Sequence, residues 1–542
     1  MAGRTRAKSD SLSETEILDA GVYELLEAYR TKRCTPSRAV EVYIAHQKRA
    51  NPALNYVVED RYAPARSAAA VADRLWKNGR AARYRLCGVP ISMKDAFDVQ
   101  GMRTVAGVDA DRLASYAPAA ARSLREPREI DAEIVHRLRR AGAIILNKSN
   151  TPTFCYCQET DSYGFGRANN PWRRDFTTGG SSGGEAGLVA VGGAAAGFGS
   201  DIGGSIRFPA HFCGVVGFKT AGGSLPGDGH MPPADTETQE ELGVFGPITK
   251  SVRDAALLYS VAASETGGAA KPSGSRTARP KIWSPPEVAK AKLAKHLRLA
   301  AFADLPTTRC TPETLAVFQR TLNWFRASGV HAIRAEPPEA IESAAEIWQL
   351  YMTEDRGQGL ATLAYPHLVR PAASPGVQGA VPATAAVLDW LKAKFGFGAI
   401  HHPFLSWGLI GTMLFAPSEK QLAWARAEVE RGRRELRRML GGPDGDGLLL
   451  CPVYPSPAKR HGEVYGEIFH IRKTFRRVLP YMALATVYGL PSLSLPLGRS
   501  DDGLPIGLQL AALPGKERLL LETAMVVERE LGGYERCDFY DE

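Results

Sequence analysis

The chain has 542 residues, of which 44% are hydrophobic and 23% charged, as in an ordinary folded globular protein. Its formal net charge is +9, but no long run of lysine or arginine concentrates that charge, which argues against a nucleic-acid-binding protein. The arginine-rich residues 431–438 alternate with glutamates, and this pattern predicts the solvated face of a helix.

The eight cysteines are scattered along the chain, which favours reduced thiols and a cytoplasmic location over a secreted disulfide scaffold. Cys155 and Cys157 have no second cysteine pair at zinc spacing, so no metal site is predicted. Residues 1–13 are polar and basic, without the apolar core of a signal peptide, and are interpreted as a flexible N-terminal tail.

No stretch reaches about 18 apolar residues, so no transmembrane anchor is expected. The most apolar segment, residues 404–416, is too short to span a membrane. It is interpreted as a buried core helix, with a lipophilic substrate channel and a membrane-resting cap as the alternatives.

The first half of the chain alternates helical and strand patterns. Residues 14–79 carry apolar side chains at helical spacing, residues 86–93 and 143–146 are short apolar runs typical of buried strands, and a helix is predicted at 130–140. This alternation indicates an α/β protein. Residues 179–205 then hold 11 glycines among 27 mostly apolar positions, which predicts backbone that turns sharply inside the protein.

In the second half, residues 281–440 are interpreted as a variable, largely helical insertion. The other predicted features there are loops at 267–279 and 371–382 and strands at 297–302, 448–453, 490–496 and 504–511.

Several common catalytic motifs are absent. The sequence has no phosphate-binding P-loop, no G-x-S-x-G serine elbow and no H-E-x-x-H zinc motif. Ser456 and Lys459 match the S-x-x-K spacing of serine β-lactamases, but prolines crowd a serine that should open a helix. That interpretation is therefore disfavoured.

The glycine-rich region ends in consecutive residues that suit an oxyanion. Ile202, Gly203, Gly204 and Ser205 could present several backbone N–H groups to one point, because glycines permit close approach. Ser205 closes this nest, where a nucleophile should lie. The alternative is a purely structural glycine turn between a strand and a helix.

The segment from Gly179 to Lys219 resembles the signature of the amidase signature family, and Gly88–Asp95 resembles that family's lysine segment. The resemblance covers about residues 20–265 and 445–530. It implies an α/β fold with a central mixed β-sheet covered by helices on both sides. The implied organisation is one domain over residues 14–542, with the insertion at about 281–440 shaping the substrate pocket.

The resemblance also implies a catalytic triad. Lys94 falls at the family's buried lysine, Ser181 at its bridging serine and Ser205 at its nucleophile. A serine hydroxyl needs a base, and a lysine can be that base when burial keeps it neutral. Residues Ile202 to Ser205 then form the oxyanion hole. The supporting residues are Ser182, Arg207 and Asp201, the last expected to pair with Arg207, and no cofactor is implied.

Glu185 and the stretch Gly229 to Pro232 are similar to the fatty acid amide hydrolase-like branch of the family, which implies a lipophilic or aryl amide as the small-molecule substrate. Esters and carbamates pass through the same oxyanion chemistry and stay open, as does a homodimer. One alternative is the glutamine-hydrolysing subunit of a tRNA-dependent amidotransferase. Another is a catalytically inactive binding protein, which the filled triad positions disfavour.

Overall fold

The computed structural model describes residues 11–264, 291–369, 380–414, 416–441, 445–469 and 475–538. The predicted loop at 267–279 and most of the predicted loop at 371–382 lie outside these residues. Of the predicted N-terminal tail, residues 1–10 also lie outside them, whereas Leu12 is buried and the Ser13 side chain caps the first helix.

Helices dominate the first half of the chain, with strands between them. The helices are α1 Glu14–Asp19, α2 Val22–Arg30, α3 Pro36–Leu54, α4 Tyr62–Lys77, α5 Ala110–Ala114, α6 Pro118–Arg125, α7 Glu133–Arg140, α8 Gly183–Ala190, α9 Arg207–Cys213, α10 Glu237–Leu242 and α11 Val252–Ala262. The strands are β1 Val57–Asp60, β2 Pro90–Lys94, β3 Ile144–Ser149, β4 Ala196–Asp201, β5 Val216–Lys219 and β6 Val244–Thr249.

The second half adds nine more helices and five more strands among the described residues. The helices are α12 Pro312–Ala327, α13 Glu339–Met352, α14 Gln358–Ala364, α15 Ala383–Phe395, α16 Pro403–Leu414, α17 Glu419–Met439, α18 Glu463–Phe469, α19 Phe475–Val487 and α20 Glu517–Leu531. The strands are β7 Arg298–Ala301, β8 His331–Arg334, β9 Gly447–Pro452, β10 Ser492–Arg499 and β11 Pro505–Ala511.

All eleven strands join one mixed sheet in the order β1-β3-β2-β4-β6-β5-β10-β11-β9-β7-β8. Strand β2 is parallel to both of its neighbours, β3 and β4, while β4 to β9 pair antiparallel along the sheet. The parallel arrangement at β2 follows from the helices that connect these strands. It brings the carboxyl ends of β2, β3 and β4 to one edge of the sheet.

Helices cover both faces of the sheet, as the predicted α/β class requires. Alternate residues of β9 show this: Leu448 and Leu450 pack in one apolar core, whereas Leu449 and Cys451 pack in another on the opposite face. The first core includes residues of α3, α11 and α20, and the second includes residues of α13, α17 and α19. The fold class predicted from the sequence is confirmed.

Two short strands differ from the sequence prediction. The region predicted as helical over 14–79 contains β1, and the predicted insertion contains β8 in addition to the expected strand β7. Both β1 and β8 have four residues and lie at opposite edges of the sheet. A strand of four residues offers too little alternation to be distinguished from loop, so pairing with a neighbour decides its structure. The strand predicted at 86–93 begins later, at Pro90, and includes Lys94.

The apolar segment 404–416 forms most of α16. Its residues Leu405 and Leu409 are buried against α14 and α15, while Leu414 at its end is 62% exposed. Within the described residues, no helix has both the length and the apolar character that crossing a membrane requires. The arginine-rich segment lies on α17, where Arg431 pairs with Glu428 and Arg433 pairs with Glu430.

Candidate active site

Lys94 is the last residue of β2, and its side chain is completely buried. Its Nζ donates to Ser181 Oγ at 2.7 Å and to Ser200 Oγ at 3.0 Å. Among the residues that the structure describes, no carboxylate forms an ion pair with this ammonium group. Lys94 therefore has hydroxyl groups where a buried lysine usually has an anion.

Burial lowers the pKa of Lys94, because a low-dielectric interior disfavours the charged form. Cys155, Asp201 and Glu185 lie near enough to oppose this shift, but the pKa still falls below its ordinary value. A lysine with a lowered pKa is more often neutral at a given pH, which is the state in which it can accept a proton.

Ser181 and Ser182 occupy the turn that leads into α8. The peptide bond between Gly180 and Ser181 is cis, and the Ser181 carbonyl accepts from Thr151 Oγ1 at 3.0 Å. The amide of Ser182 donates to the carbonyl of Ser205 at 3.1 Å. This bond holds the turn beside the segment that carries Ser205, so the two serine-bearing segments are adjacent.

Residues Ile202 to Ser205 lie between β4 and α9 and are here called the nucleophile loop, after the role that the sequence predicts for Ser205. Ser205 is only 5% exposed. Gly204 has φ +96°, a left-handed conformation that favours glycine, and an added Cβ there would lie within 3 Å of Met482. The loop therefore takes a turn that a larger residue would disturb.

Asp201 holds the nucleophile loop through its carboxylate. It accepts from the amide of Gly204 at 2.8 Å and from the amide of Ile206 at 3.2 Å. It also forms an ion pair with Arg207 at 3.0 Å, and both side chains are fully buried. Burial alone would raise the pKa of Asp201, but Arg207 and the loop amides outweigh it and hold that pKa below its usual value.

Arg207 extends this anchor to the C-terminal part of the chain. Its guanidinium donates to Gln509 Oε1 on β11 at 3.3 Å and to Thr486 Oγ1 on α19 at 3.1 Å. A buried guanidinium with these partners is fixed in one orientation. The loop that carries Ser205 is thus tied, through Arg207, to residues 279 and 302 positions further along the chain.

The amides of the nucleophile loop have different roles. Gly204 donates to Asp201, whereas the amides of Ile202, Gly203 and Ser205 have no acceptor among the described residues. Backbone N–H groups without a partner at a buried site are suited to binding an anion.

Two glycines of β4 let α8 approach the strand closely. An added Cβ at Gly197 would lie 1.7 Å from Glu185 Oε1, and one at Gly199 would lie 2.6 Å from Ser182 Oγ. Glu185 is buried there and accepts from the hydroxyls of Ser149 and Ser92. Burial raises the pKa of Glu185 to about 8, although the two hydroxyls and Lys94 oppose this shift.

Three residues that touch this site have no role predicted from the sequence. Ser200 is the second acceptor of Lys94, and Gln158 and Trp348 donate to carbonyls of the nucleophile loop. Ser200 lies within the glycine-rich segment and could have been suspected from its position. Gln158 and Trp348 carry no local signal, because only tertiary folding brings them to the loop.

The described residues contain no group of three or more His, Cys, Asp or Glu side chains that could hold a metal ion. Cys155 lies near Lys94 and its Sγ is 3.5 Å from Thr151 Oγ1, whereas Cys157 is buried beside Glu159. The two thiols therefore have different surroundings. The groups near Lys94 are the hydroxyls of Ser181 and Ser200, the Cys155 thiol and the carboxyl groups of Asp201 and Glu185.

Comparison with known proteins identifies the family of the chain. The family model described as Amidase matches residues 38–521 of the chain. The chain belongs to the amidase family. It is accordingly an amide-hydrolysing enzyme, and it resembles the fatty-acid amide hydrolases of that family. Fatty-acid amide hydrolase 2-A of Danio rerio is 29% identical over 537 residues, covering 94% of this chain and 88% of the relative.

The chain is also similar to proteins named as amidotransferase subunits. A glutamyl-tRNA(Gln) amidotransferase component from Koribacter versatilis (strain Ellin345) is 28% identical over 459 residues, covering 82% of this chain and 85% of the relative. Among solved structures, 6-aminohexanoate cyclic dimer hydrolase has a TM-score of 0.75 at 24% identity, covering 97% of this chain and 99% of that one. This similarity shows that the two proteins share a fold.

Proposed function

We propose that this amidase hydrolyses carboxylic amides through Ser205 as nucleophile, with Ser181 and Lys94 as its proton relay. The observation that carries the proposal is the partner of Lys94: a fully buried amine that hydrogen-bonds a serine hydroxyl at 2.7 Å. A serine hydroxyl is a weak nucleophile until a base removes its proton. Burial and the absence of an anionic partner in the described residues keep Lys94 available as that base.

The proposed reaction begins with two proton transfers. Neutral Lys94 accepts the proton of Ser181, which accepts the proton of Ser205, while Ser205 Oγ bonds to the substrate carbonyl carbon. The carbonyl electrons move to oxygen and form an oxyanion. When the tetrahedral intermediate collapses, the C–N bond breaks and the relay returns a proton to the leaving amine. Water then attacks the acyl-enzyme by the same route, releases the acid and restores Ser205.

We propose that the amides of Ile202, Gly203 and Ser205 bind the oxyanion, because they have no acceptor among the described residues. Gly204 was also predicted to donate, but its amide donates to Asp201 and instead sets the shape of the loop. Asp201 and Arg207 hold that shape, and Ser182 holds Ser205 through its backbone. These donors would be oriented before the reaction begins, so no reorganisation is required as charge develops.

We propose a lipophilic or aryl amide as the substrate. We further propose that the chain forms a single domain and that the insertion at about 281–440 shapes its substrate pocket. Phe154 and Tyr156 flank Cys155, the thiol beside Lys94, and both pack in an apolar cluster with residues of α14, α15 and α16. An apolar surface therefore lies next to the proposed base. The name of the fatty-acid amide hydrolase relatives agrees with this substrate class. Esters and carbamates are included because they form the same oxyanion.

We also propose that the enzyme works in the cytoplasm. All eight cysteines are free thiols, including the near neighbours Cys155 and Cys157. Proteins that keep so many thiols unpaired are typical of reducing compartments.

The experiment that tests the proposal is intact-mass measurement after incubation with a small fluorophosphonate. Wild type should gain one adduct, Ser205→Ala should gain none, and Lys94→Ala should react much more slowly. Ser456→Ala is the matched control, because the Ser456 hydroxyl donates to Pro457 O outside this site. An adduct that persists in Ser205→Ala, or folded wild type without an adduct, would contradict the assignment of Ser205.

A second candidate function is glutamine hydrolysis for a tRNA-dependent amidotransferase, which the name of the glutamyl-tRNA(Gln) amidotransferase relative favours. A panel of acyl p-nitroanilides of increasing chain length, measured beside L-glutamine, separates the two candidates. We expect kcat/KM to rise with acyl length and glutamine to be a poor substrate. Preferential release of ammonia from glutamine would instead favour the amidotransferase role.

A further inference from the structure

Every carbonyl of the nucleophile loop accepts a hydrogen bond. The distances fall between 2.5 and 3.4 Å. The pairs are Trp348 Nε1 to Ile202 O, Gln158 Nε2 to Gly203 O, the Phe208 amide to Gly204 O and the Ser182 amide to Ser205 O. The last two donors belong to the segments that carry the catalytic serines. Trp348 differs from all the others because it comes from the insertion.

Trp348 lies on α13, 146 residues from Ile202. Its indole N–H donates to Ile202 O at 2.5 Å, the shortest of the four bonds. Its ring also lies against Gly203, where an added Cβ would come within 2.9 Å of Cζ2. The helix beneath it is firmly placed, since Ala344, Ala345 and Ile347 are fully buried against the second core. The indole is thus presented to the loop by a packed element.

The direction of the Gly203 amide follows from this contact. The peptide bond between Ile202 and Gly203 is trans, so its C=O and N–H point in opposite directions. Fixing Ile202 O on the indole of Trp348 therefore aims the Gly203 N–H away from Trp348. That amide has no acceptor among the described residues.

We propose that Trp348 is a positioning residue that holds the Gly203 N–H in the direction of the developing oxyanion. The inference rests on the proposed function of Ser205 and its loop, and it adds a residue of the insertion to the reaction. Trp348 does not touch the reacting atoms in this role. It acts through the peptide group between Ile202 and Gly203, so its contribution should appear in the transition state and not in substrate binding.

The test compares Trp348→Phe, which keeps a ring but loses the N–H, with wild type on an aryl anilide. Losing an oxyanion donor outright typically lowers kcat by about 100-fold or more, so losing only its alignment should lower kcat by about tenfold. We expect KM to change by less than about twofold. The affinity for an aryl trifluoromethyl ketone, whose bound form carries an oxyanion, should weaken by the same factor as kcat.

Two further variants make the result decisive. Replacing Trp348 by benzothienylalanine keeps the shape of the indole without its N–H, and it should reproduce the loss of kcat even if phenylalanine disturbs packing. Trp324→Phe, on α12 beside Phe325, is the matched control and should leave both constants unchanged. Unchanged kcat in the benzothienylalanine variant, or a rise in KM alone, would overturn the inference.

Fluorophosphonate labelling separates this inference from the function on which it depends. Wild type that labels at Ser205 while both Trp348 variants keep full kcat would overturn only the positioning role. Wild type that fails to label at Ser205 would overturn the proposed function and this inference with it. Labelled wild type with the expected loss of kcat supports both.

Discussion

Two lysines lie at the same edge of the sheet, Lys94 at the end of β2 and Lys148 near the end of β3, and both are fully buried. They occupy neighbouring parallel strands, where Lys148 is opposite Met93 in the register. Lys94 hydrogen-bonds two serine hydroxyls. Lys148 forms an ion pair with Asp95 at 2.9 Å and also donates to the hydroxyl of Thr104.

The comparison shows that burial alone does not decide what a lysine does. Lys148 has a carboxyl partner, so its role is to compensate the buried Asp95 in an ion pair. Lys94 has hydroxyl partners and no ion pair among the described residues, and burial lowers its pKa. The structural lysine and the candidate base therefore differ in the hydrogen-bond partners of the amine, which include a carboxyl group only at Lys148.

The largest expected effect is on catalysis at Lys94. Lys94→Met should lower kcat/KM by about 100-fold to 10,000-fold, the usual contribution of a general base, while the protein stays folded. Steady-state kinetics with an aryl anilide and a circular dichroism melt measure both properties. A folded variant with nearly wild-type activity would contradict the role of Lys94. In wild type, activity should rise with pH as Lys94 loses its proton, because only the neutral amine accepts one.

Lys148→Met should instead affect stability. It leaves Asp95 buried without its cation, and breaking a buried pair from one side typically costs about 3–5 kcal/mol of unfolding free energy. Denaturant unfolding measures this loss. Asp95→Asn combined with Lys148→Met removes both charges and should recover much of the stability. If the single and double variants unfold alike, the ion pair is not the reason for the loss.

The pH dependence of stability sharpens the comparison further. The folded pKa of Lys94 lies below its ordinary 10.5, so between these values the unfolded chain binds one more proton than the folded chain. The unfolding free energy of wild type therefore rises with pH in this window, by about 1.4 kcal/mol per unit at most. Lys94→Met lacks this contribution. Its melting temperature relative to wild type should fall as pH rises towards about 10.

A constant difference between the melting temperatures of Lys94→Met and wild type across this range would contradict a lowered Lys94 pKa. The measurement needs no substrate. It therefore tests the electrostatics of the base separately from catalysis.

The smallest expected effect concerns Glu185. Its pKa is raised from 4.5 to about 8, so between these values the folded chain holds a proton that the unfolded chain has lost. Wild-type stability should therefore decline as pH rises through this window. Glu185→Gln removes that decline, and its melting temperature relative to wild type should increase as pH rises from about 5 to about 8. Parallel pH curves for the two proteins would show that Glu185 titrates alike in both states.

The fold was largely predictable because its sequence signals are local. Short runs rich in apolar residues indicated the positions of β2, β3, β9, β10 and β11. The cluster of glycines predicted sharp internal turns, and Gly179, Gly192 and Gly204 have positive φ there. Gly197 and Gly199 instead lie in β4 and allow α8 to lie directly on that strand. The signature also placed Lys94, Ser181 and Ser205 as a candidate site, since all three belong to motifs that can be recognised without a structure.

What escaped prediction depends on contacts between distant segments. The edge strands β1 and β8 become strands by pairing, and four residues carry no clear period. The donor from Trp348 and the second acceptor of Lys94, Ser200, are defined by atoms that meet only in the folded chain. The hydrogen bond from the Gly204 amide to Asp201 also could not be predicted. The sequence gives no reason to distinguish the four backbone amides of the loop from one another.

The hydrogen bond between Trp348 and Ile202 has a consequence for how such enzymes diversify. If the insertion only formed a wall of the pocket, evolution could exchange it to recognise new substrates and leave turnover unchanged. Because Trp348 in this region donates to Ile202 O, a graft that replaced the predicted insertion would also replace that hydrogen bond. Selection for a new substrate would then change kcat and substrate specificity together. Chimaeras that exchange this region between related amidases should show both properties changing.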